Sequence, residues 1–337
     1  MQEESINEYR RFLIPSVVAK LGNMELIARF IVAGFITGLH KSPYHGFSVE
    51  FAEHRQYMPG DDLRYLDWKI YGRTEKYFIK QFEEETNLKS YVLLDISKSM
   101  SYCSHNSKQL TGESEENKNS FNPFRKKEKK EIEKFTHNVN NISKLEYASY
   151  LAASISYLML QQRDAISLTT YDTQIRSYVP PHATNSNLRL ILKDLSNVKS
   201  IHQTGMAPCL NEIAEKIRRR GLVIIISDLF DNQAEVINAF RHFRHNKNEV
   251  IVFQILDPVE ISFIEGNPVN LIDMETKEEM YSLPYAVKKA YKDTVKEFME
   301  KYKSECSRNE IDFITLSTET PFDKALLSYL NKRKMLY

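Results

Sequence analysis

The sequence predicts a doubly wound α/β domain with a mostly parallel sheet, preceded by a small mixed extension. Three observations carry this. Leu222 to Ile226, LVIII, is a continuous apolar run of the kind a strand shows when helices cover both its faces. Along the rest of the chain, strand-like runs alternate with stretches of helical period. Finally, Tyr91 to Met100, YVLLDISKSM, reads as a buried strand that breaks at Asp95 into a loop with hydroxyls at every second position. In such sheets ligands sit beyond the carboxyl ends of the strands, where the winding direction switches. Asp95 and Asp228 both follow strand ends.

The elements follow in order. Met24 to Leu39 keeps apolar residues at 26, 27, 30, 31 and 35, which is helical spacing and marks a core helix rather than one lying on a membrane surface. Gly46 to Phe51 and Tyr77 to Phe82 alternate like half-buried strands. Between them Met58-Pro59-Gly60-Asp61 makes a turn, and Leu63, Leu66 and Ile70 share a helix face that Trp68 anchors. Residues 1–88 are therefore read as a helical and β extension, and residues 89–337 as the main domain. Within the latter, residues 101–140 are rich in Ser, Asn, Lys and Glu without periodicity, which predicts a mobile insertion. Order returns in a helix from Leu145, followed by strands at 165–171 and 175–179. Three residues separate these strands, which predicts a hairpin, and Pro180-Pro181 ends it. Helices at 188–195, 207–219 and 233–244 are interleaved with strands at 222–226 and 249–256. A hairpin around Thr276, a long helix from 285 to 305, a strand at 311–316 and a last helix at 322–331 complete the chain.

Composition excludes several classes. The 337 residues carry 46 basic and 45 acidic side chains, so no global charge demands nucleic acid or an acidic membrane. The basic run Arg125 to Lys130 is interleaved with acidic residues and reads as a solvated loop. Cys103, Cys209 and Cys306 are odd in number and widely spaced, which argues against a disulfide framework or zinc site and fits a reducing cytoplasm. The polar N-terminus lacks the pattern of a signal peptide, and the most apolar segment is too short to span a bilayer. The expected location is cytoplasmic, with no membrane span.

The candidate site is Asp95-x-Ser97-x-Ser99 with Thr204 and Asp228. In an extended loop alternate side chains point the same way, so Asp95, Ser97 and Ser99 could converge on one point. Mostly neutral oxygen donors suit a hard divalent cation: magnesium, or else manganese or calcium. A competing reading has Ser97 and Ser99 capping the following helix while Asp95 bonds backbone amides.

This order of residues resembles the metal-ion-dependent adhesion site of von Willebrand factor A domains. Gly38 to Thr74, GLHKSPYHGFSVEFAEHRQYMPGDDLRYLDWKIYGRT, closely resembles the signature of the bacterial domain-of-unknown-function-58 family. The continuation into LLDISKSM, the stretch RRRGLVIIISDLFD (Arg218 to Asp231) and the C-terminal helix, strand, helix extend the likeness. The resemblance implies a von Willebrand factor A-like, Rossmann-type fold. It also implies a partner class, the MoxR-type AAA+ ATPases, acting in chaperone-like assembly or activation of clients. Within it, Ser97, Ser99 and Thr204 would offer hydroxyls, and Asp95 and Asp228 would bind directly or through water. The cation, left underneutralised, would attract a carboxylate from a client protein. Two features depart from the pattern: some forty residues follow the serine loop, and Gly205 stands where many A domains place an acidic residue.

The reading is thus a non-enzymatic, metal-dependent protein-interaction module. The alternatives are a divalent-metal phosphoester hydrolase using Asp61, Asp62 and Asp67 with His54 and Arg55, and a structural scaffold with a vestigial metal site. Those residues, like His40 and His45, read more simply as turn formers, caps and interdomain hydrogen-bonders. No phosphate-binding glycine loop, nucleophile elbow or Cys-His arrangement is present.

Overall fold

The computed structural model describes residues 15–40, 54–56, 68–80, 88–104, 142–200, 203, 205–217, 220–264, 268–274 and 277–335. A short helical lead-in at residues 15–21 reaches α1 (Met24–His40). The extension contributes β1 (His54–Gln56), α2 (Trp68–Thr74) and β2 (Phe78–Lys80), with β1 and β2 pairing antiparallel as a separate ribbon. The main domain then runs β3 (Lys89–Asp95), α3 (Lys144–Gln161), β4 (Ala165–Tyr171), β5 (Ile175–His182), α4 (Asn185–Asn197) and α5 (Met206–Lys216). It continues through β6 (Leu222–Ser227), α6 (Gln233–His245), β7 (Glu249–Leu256) and the short α7 (Pro258–Ser262) to the ribbon β8 (Val269–Ile272) and β9 (Glu279–Ser282). Last come α8 (Pro284–Arg308), β10 (Asp312–Ser317) and α9 (Phe322–Met335).

The central sheet has the order β10-β7-β6-β3-β4-β5, parallel except for β5, which pairs antiparallel with β4. The chain winds outward from β3 through β4 to β5, then crosses back to β6 on the other side of β3. The switch in winding therefore falls between β3 and β6. Alternation along β3 divides the core: Val92 and Leu94 face one layer with α1, α3, α4 and α9, while Tyr91 and Leu93 face the other with α5, α6 and α8. Both faces are covered, which is why LVIII could be apolar throughout. Two sequence devices fix this region. Ser143 and Glu146 form a reciprocal capping box that starts α3. Gly221 is obligatory before β6, because a Cβ there would lie 2.2 Å from the Lys89 carbonyl oxygen.

Several expectations change. β5 runs through Pro180-Pro181 to His182 instead of ending there. It lies at the sheet edge and its pairing with β4 is irregular, the setting in which proline is tolerated in a strand. Trp68 does not anchor its helix in a core. It is 65% exposed and meets the edge of Tyr71 at 6.1 Å. The core-helix reading of α1 holds, since Ile27, Ala28, Ile31, Val32 and Phe35 are buried in the layer that includes α3. The strand expected at 46–51, the turn at 58–61 and most of the 101–140 insertion lie outside the described residues. So do His40's side chain, His45, Asp61, Asp62, Leu63, Leu66 and Asp67; His54 and Arg55 lie on β1. No described helix is long and apolar enough to cross a membrane.

Candidate functional site

The parallel pairing of β3 with β6 sets Leu94 beside Ile226, so Asp95 and the Ser227-Asp228 pair leave the sheet together at the switch point. Asp95 is buried and spends both carboxylate oxygens: Oδ1 accepts the Ser97 amide at 2.8 Å and Oδ2 accepts the Ser227 hydroxyl at 2.6 Å. The Ser227 hydroxyl in turn accepts the Leu229 amide at 2.9 Å, which links the two loops. Leu229 is held in the left-handed region at φ 65 with its side chain buried. That conformation costs a branched residue about 1 kcal/mol or more and persists only where the surroundings impose it.

The serine loop is not extended, contrary to the alternation argument. Lys98–Ser101 forms a 3-10 turn with Ser97 at its N-cap position, and this turn, not strand periodicity, brings the Ser97 and Ser99 hydroxyls to 3.0 Å. The Ser97 hydroxyl makes no capping bond. The Asp95 bond to a backbone amide matches half of the competing reading. The Ser200 hydroxyl donates to the Ser97 carbonyl and holds the turn from the far side.

Asp228 is fully buried. Its Oδ1 accepts the Phe230 amide at 3.2 Å and its Oδ2 accepts the Lys144 ammonium at 2.8 Å. Lys144 is also fully buried and gives a second bond to Glu260 Oε1 at 2.6 Å, with the Phe230 ring centroid 5.0 Å and the Tyr102 centroid 5.9 Å from its nitrogen. Burial alone would depress the ammonium, but the Asp228 and Glu260 carboxylates outweigh it and hold its pKa up at about 12. Glu260 is placed by the capping box of α7, in which it accepts the Asp257 amide at 2.8 Å. Burial, and then the neighbouring Asp228 charge, push the Asp95 carboxyl up to about 7. The hydroxyl of Tyr171, opposite Asp95 on β4, is buried without a hydrogen-bond partner among the described residues.

Thr204 lies outside the described residues. Its neighbour Gly205 precedes α5, and a Cβ at that position would come within 3.0 Å of the Thr173 backbone, so the departure from an acidic residue has a steric reason. The first amide of α5, Met206, donates to Asp231 Oδ2 at 2.8 Å, tying the threonine loop to the turn after β6.

Among the described residues no group of three or more His, Cys, Asp or Glu side chains could hold a metal by itself. A cation here would depend on hydroxyls. The two serine oxygens suit that, since adjacent ligands of an octahedral magnesium, each ~2.0–2.1 Å from the ion, sit roughly 3 Å apart. Asp95 braces the loop and would act through water, while Asp228 is already ion-paired.

Sequence reasoning missed Lys144, Glu260, Ser227 and Asp231. Lys144 carried a signal: a lysine in the first turn of a helix opposes the macrodipole, so it must serve some other contact. Glu260 carried one too, because Asp257-Pro258-x-Glu260 after an apolar strand spells a capping box.

Residues 53–112 and 131–304 match the family model described as "Protein of unknown function DUF58"; the unmatched gap falls within the 101–140 segment, and the match stops before β10. "Uncharacterized protein Mb1516" of Mycobacterium bovis and "Uncharacterized protein Rv1480" of Mycobacterium tuberculosis are each 22% identical over 267 residues, 78% of this chain and 72% of theirs. Among solved structures, a conserved hypothetical protein BatB from Bacteroides thetaiotaomicron gives a TM-score of 0.41 at 12% identity, covering 73% of this chain and 98% of that one. An aerotolerance-related membrane protein from Bacteroides fragilis gives 0.41 at 15%, covering 73% and 99%. The family match spans well over half of the sequence, and the chain belongs to the DUF58 family of proteins of unknown function.

Proposed function

We propose that this protein is a metal-dependent protein-interaction module of von Willebrand factor A type, in which a magnesium-class cation at the switch point recruits a carboxylate from a client. The observation that supports this reading best is the pair of serine hydroxyls, 3.0 Å apart beyond the end of β3 and braced by a buried aspartate. A first shell of neutral hydroxyls and water leaves a divalent ion with residual positive charge, and an incoming Asp or Glu completes its coordination. Asp95 would orient Ser97 through the amide bond and carry a metal-bound water. Thr204 would add a third hydroxyl. The family resemblance supports a MoxR-type AAA+ ATPase as the working partner, with the pair acting in assembly or activation of clients.

The test is a pull-down or titration of the ATPase and its clients with and without chelator. Binding should fall on chelation, and Asp95→Ala should reproduce that fall with no further effect of chelator. Binding that survives both unchanged removes the metal from the mechanism.

A further inference from the structure

Tyr171, the last residue of β4, carries a group that the packing of the domain does not use. Its ring is fully buried in the second core layer, with Met206, Cys209 and Leu210 of α5. A phenylalanine would fill that space equally well. The hydroxyl is therefore surplus to packing, and burying it with no hydrogen-bond partner among the described residues costs stability. Its place in the sheet gives it another use. Tyr171 is the register partner of Asp95, and parallel partners on adjacent strands present their side chains to the same face. Asp95 alternates with Tyr91 and Leu93, which lie in the same layer as Tyr171. The Tyr171 carbonyl accepts the Ile96 amide at 2.8 Å, so the ends of β3 and β4 are joined where the serine loop begins. On the other side, the Cys209 thiol donates to the Asp172 carbonyl at 3.6 Å, and the Met206 amide binds Asp231. The tyrosine thus lies between the strand ends and the first turns of α5. Burial, and then the Asp95 carboxylate with Cys209, Asp228 and Asp231, hold its pKa well above the usual tyrosine range, so the hydroxyl keeps its proton and is a donor.

We infer that Tyr171 is a positioning residue of the candidate metal site, whose hydroxyl holds the water through which Asp95 reaches the cation. This rests on the metal-dependent reading of the site, and it adds a member that the pattern of aspartates and hydroxyls does not contain. Hydrogen-bond counting carries it. Each Asp95 oxygen accepts one bond, from the Ser97 amide or the Ser227 hydroxyl, which leaves each a second lone pair for a water. A water that gives its hydrogens to carboxylate oxygens has two lone pairs of its own. One faces the cation and the other accepts the Tyr171 proton, so that water and hydroxyl are both satisfied. Cations differ in their need for such a water. Magnesium dehydrates reluctantly and keeps several, whereas calcium takes more of its oxygens directly from protein. The Tyr171 hydroxyl therefore favours magnesium over calcium.

The test is calorimetric titration of the full chain and of Tyr171→Phe with magnesium and with calcium, beside urea unfolding of both proteins without metal. Magnesium binding should weaken by about tenfold in the variant, and calcium binding by less than about threefold. The metal-free unfolding midpoint should stay level or rise, because the ring still fills its place and the buried hydroxyl is gone. A variant that binds magnesium as tightly as wild type overturns the inference and leaves the metal site standing. So does an equal fall for both ions, or a fall accompanied by a lower metal-free midpoint, since either marks a tyrosine that only supports the fold. A wild-type chain that binds neither ion overturns the metal reading and this inference together.

Discussion

Replacing Lys144 by Met tests the electrostatic account of the site. The lysine nitrogen lies 2.8 Å from Asp228 and 2.6 Å from Glu260, and the side chains of Lys144 and Asp228 are fully buried while that of Glu260 is 16% exposed. At an effective dielectric of about 20 each contact is worth roughly 6 kcal/mol of attraction, which the desolvation of the three ions largely offsets. The intact cluster therefore adds little net stability. Removing the cation alone is different, because two carboxylates then remain buried without it. The expected loss is about 3–5 kcal/mol, seen as a lower urea midpoint at unchanged slope and a drop of roughly 10 °C in thermal midpoint. Neutralising the partners as well, in Lys144→Met/Asp228→Asn/Glu260→Gln, should recover most of it. A single-variant loss below about 1 kcal/mol would match an exposed ion pair and refute the reasoning.

Other outcomes follow from the packing around the site. Gly221→Ala should cost more than about 3 kcal/mol in denaturant titration, because the new methyl meets the Lys89 carbonyl at 2.2 Å and both belong to paired backbone. Gly205→Ala, at 3.0 Å from the Thr173 backbone, should cost about 1 kcal/mol and shift the threonine loop, read as weaker metal binding. Leu94→Ala removes a buried side chain from the middle of the first core layer and should destabilise by about 2–5 kcal/mol in the same assay. Tyr171→Phe deletes a buried hydroxyl with no partner among the described residues, so metal-free stability should stay level or rise by about 1 kcal/mol.

The strands and helices of the main domain were legible because hydrophobic periodicity is written locally. LVIII, the α3 stripe and the run before Asp95 each identify their own neighbourhood. The aspartate and two serines were legible for the same reason, being within five residues. What stayed hidden was long-range: Lys144 is 84 positions from Asp228 and 116 from Glu260, and no local pattern names such partners. The route by which Ser97 meets Ser99 was also misjudged, since the turn after β3 is set by a local bond from Asp95 to the Ser97 amide and a long-range one from Ser200, and not by strand alternation. Pro180-Pro181 misled because proline stops a strand in a sheet interior, whereas β5 lies on the edge.

Calorimetric titration of the protein with magnesium and manganese, alongside Ser97→Ala/Ser99→Ala, addresses the central claim most directly. The account predicts one cation bound per chain at or below about millimolar concentration, lost in the double variant while its unfolding midpoint is retained. A wild-type protein that takes up neither ion, or a double variant that binds both as well as wild type, would contradict it.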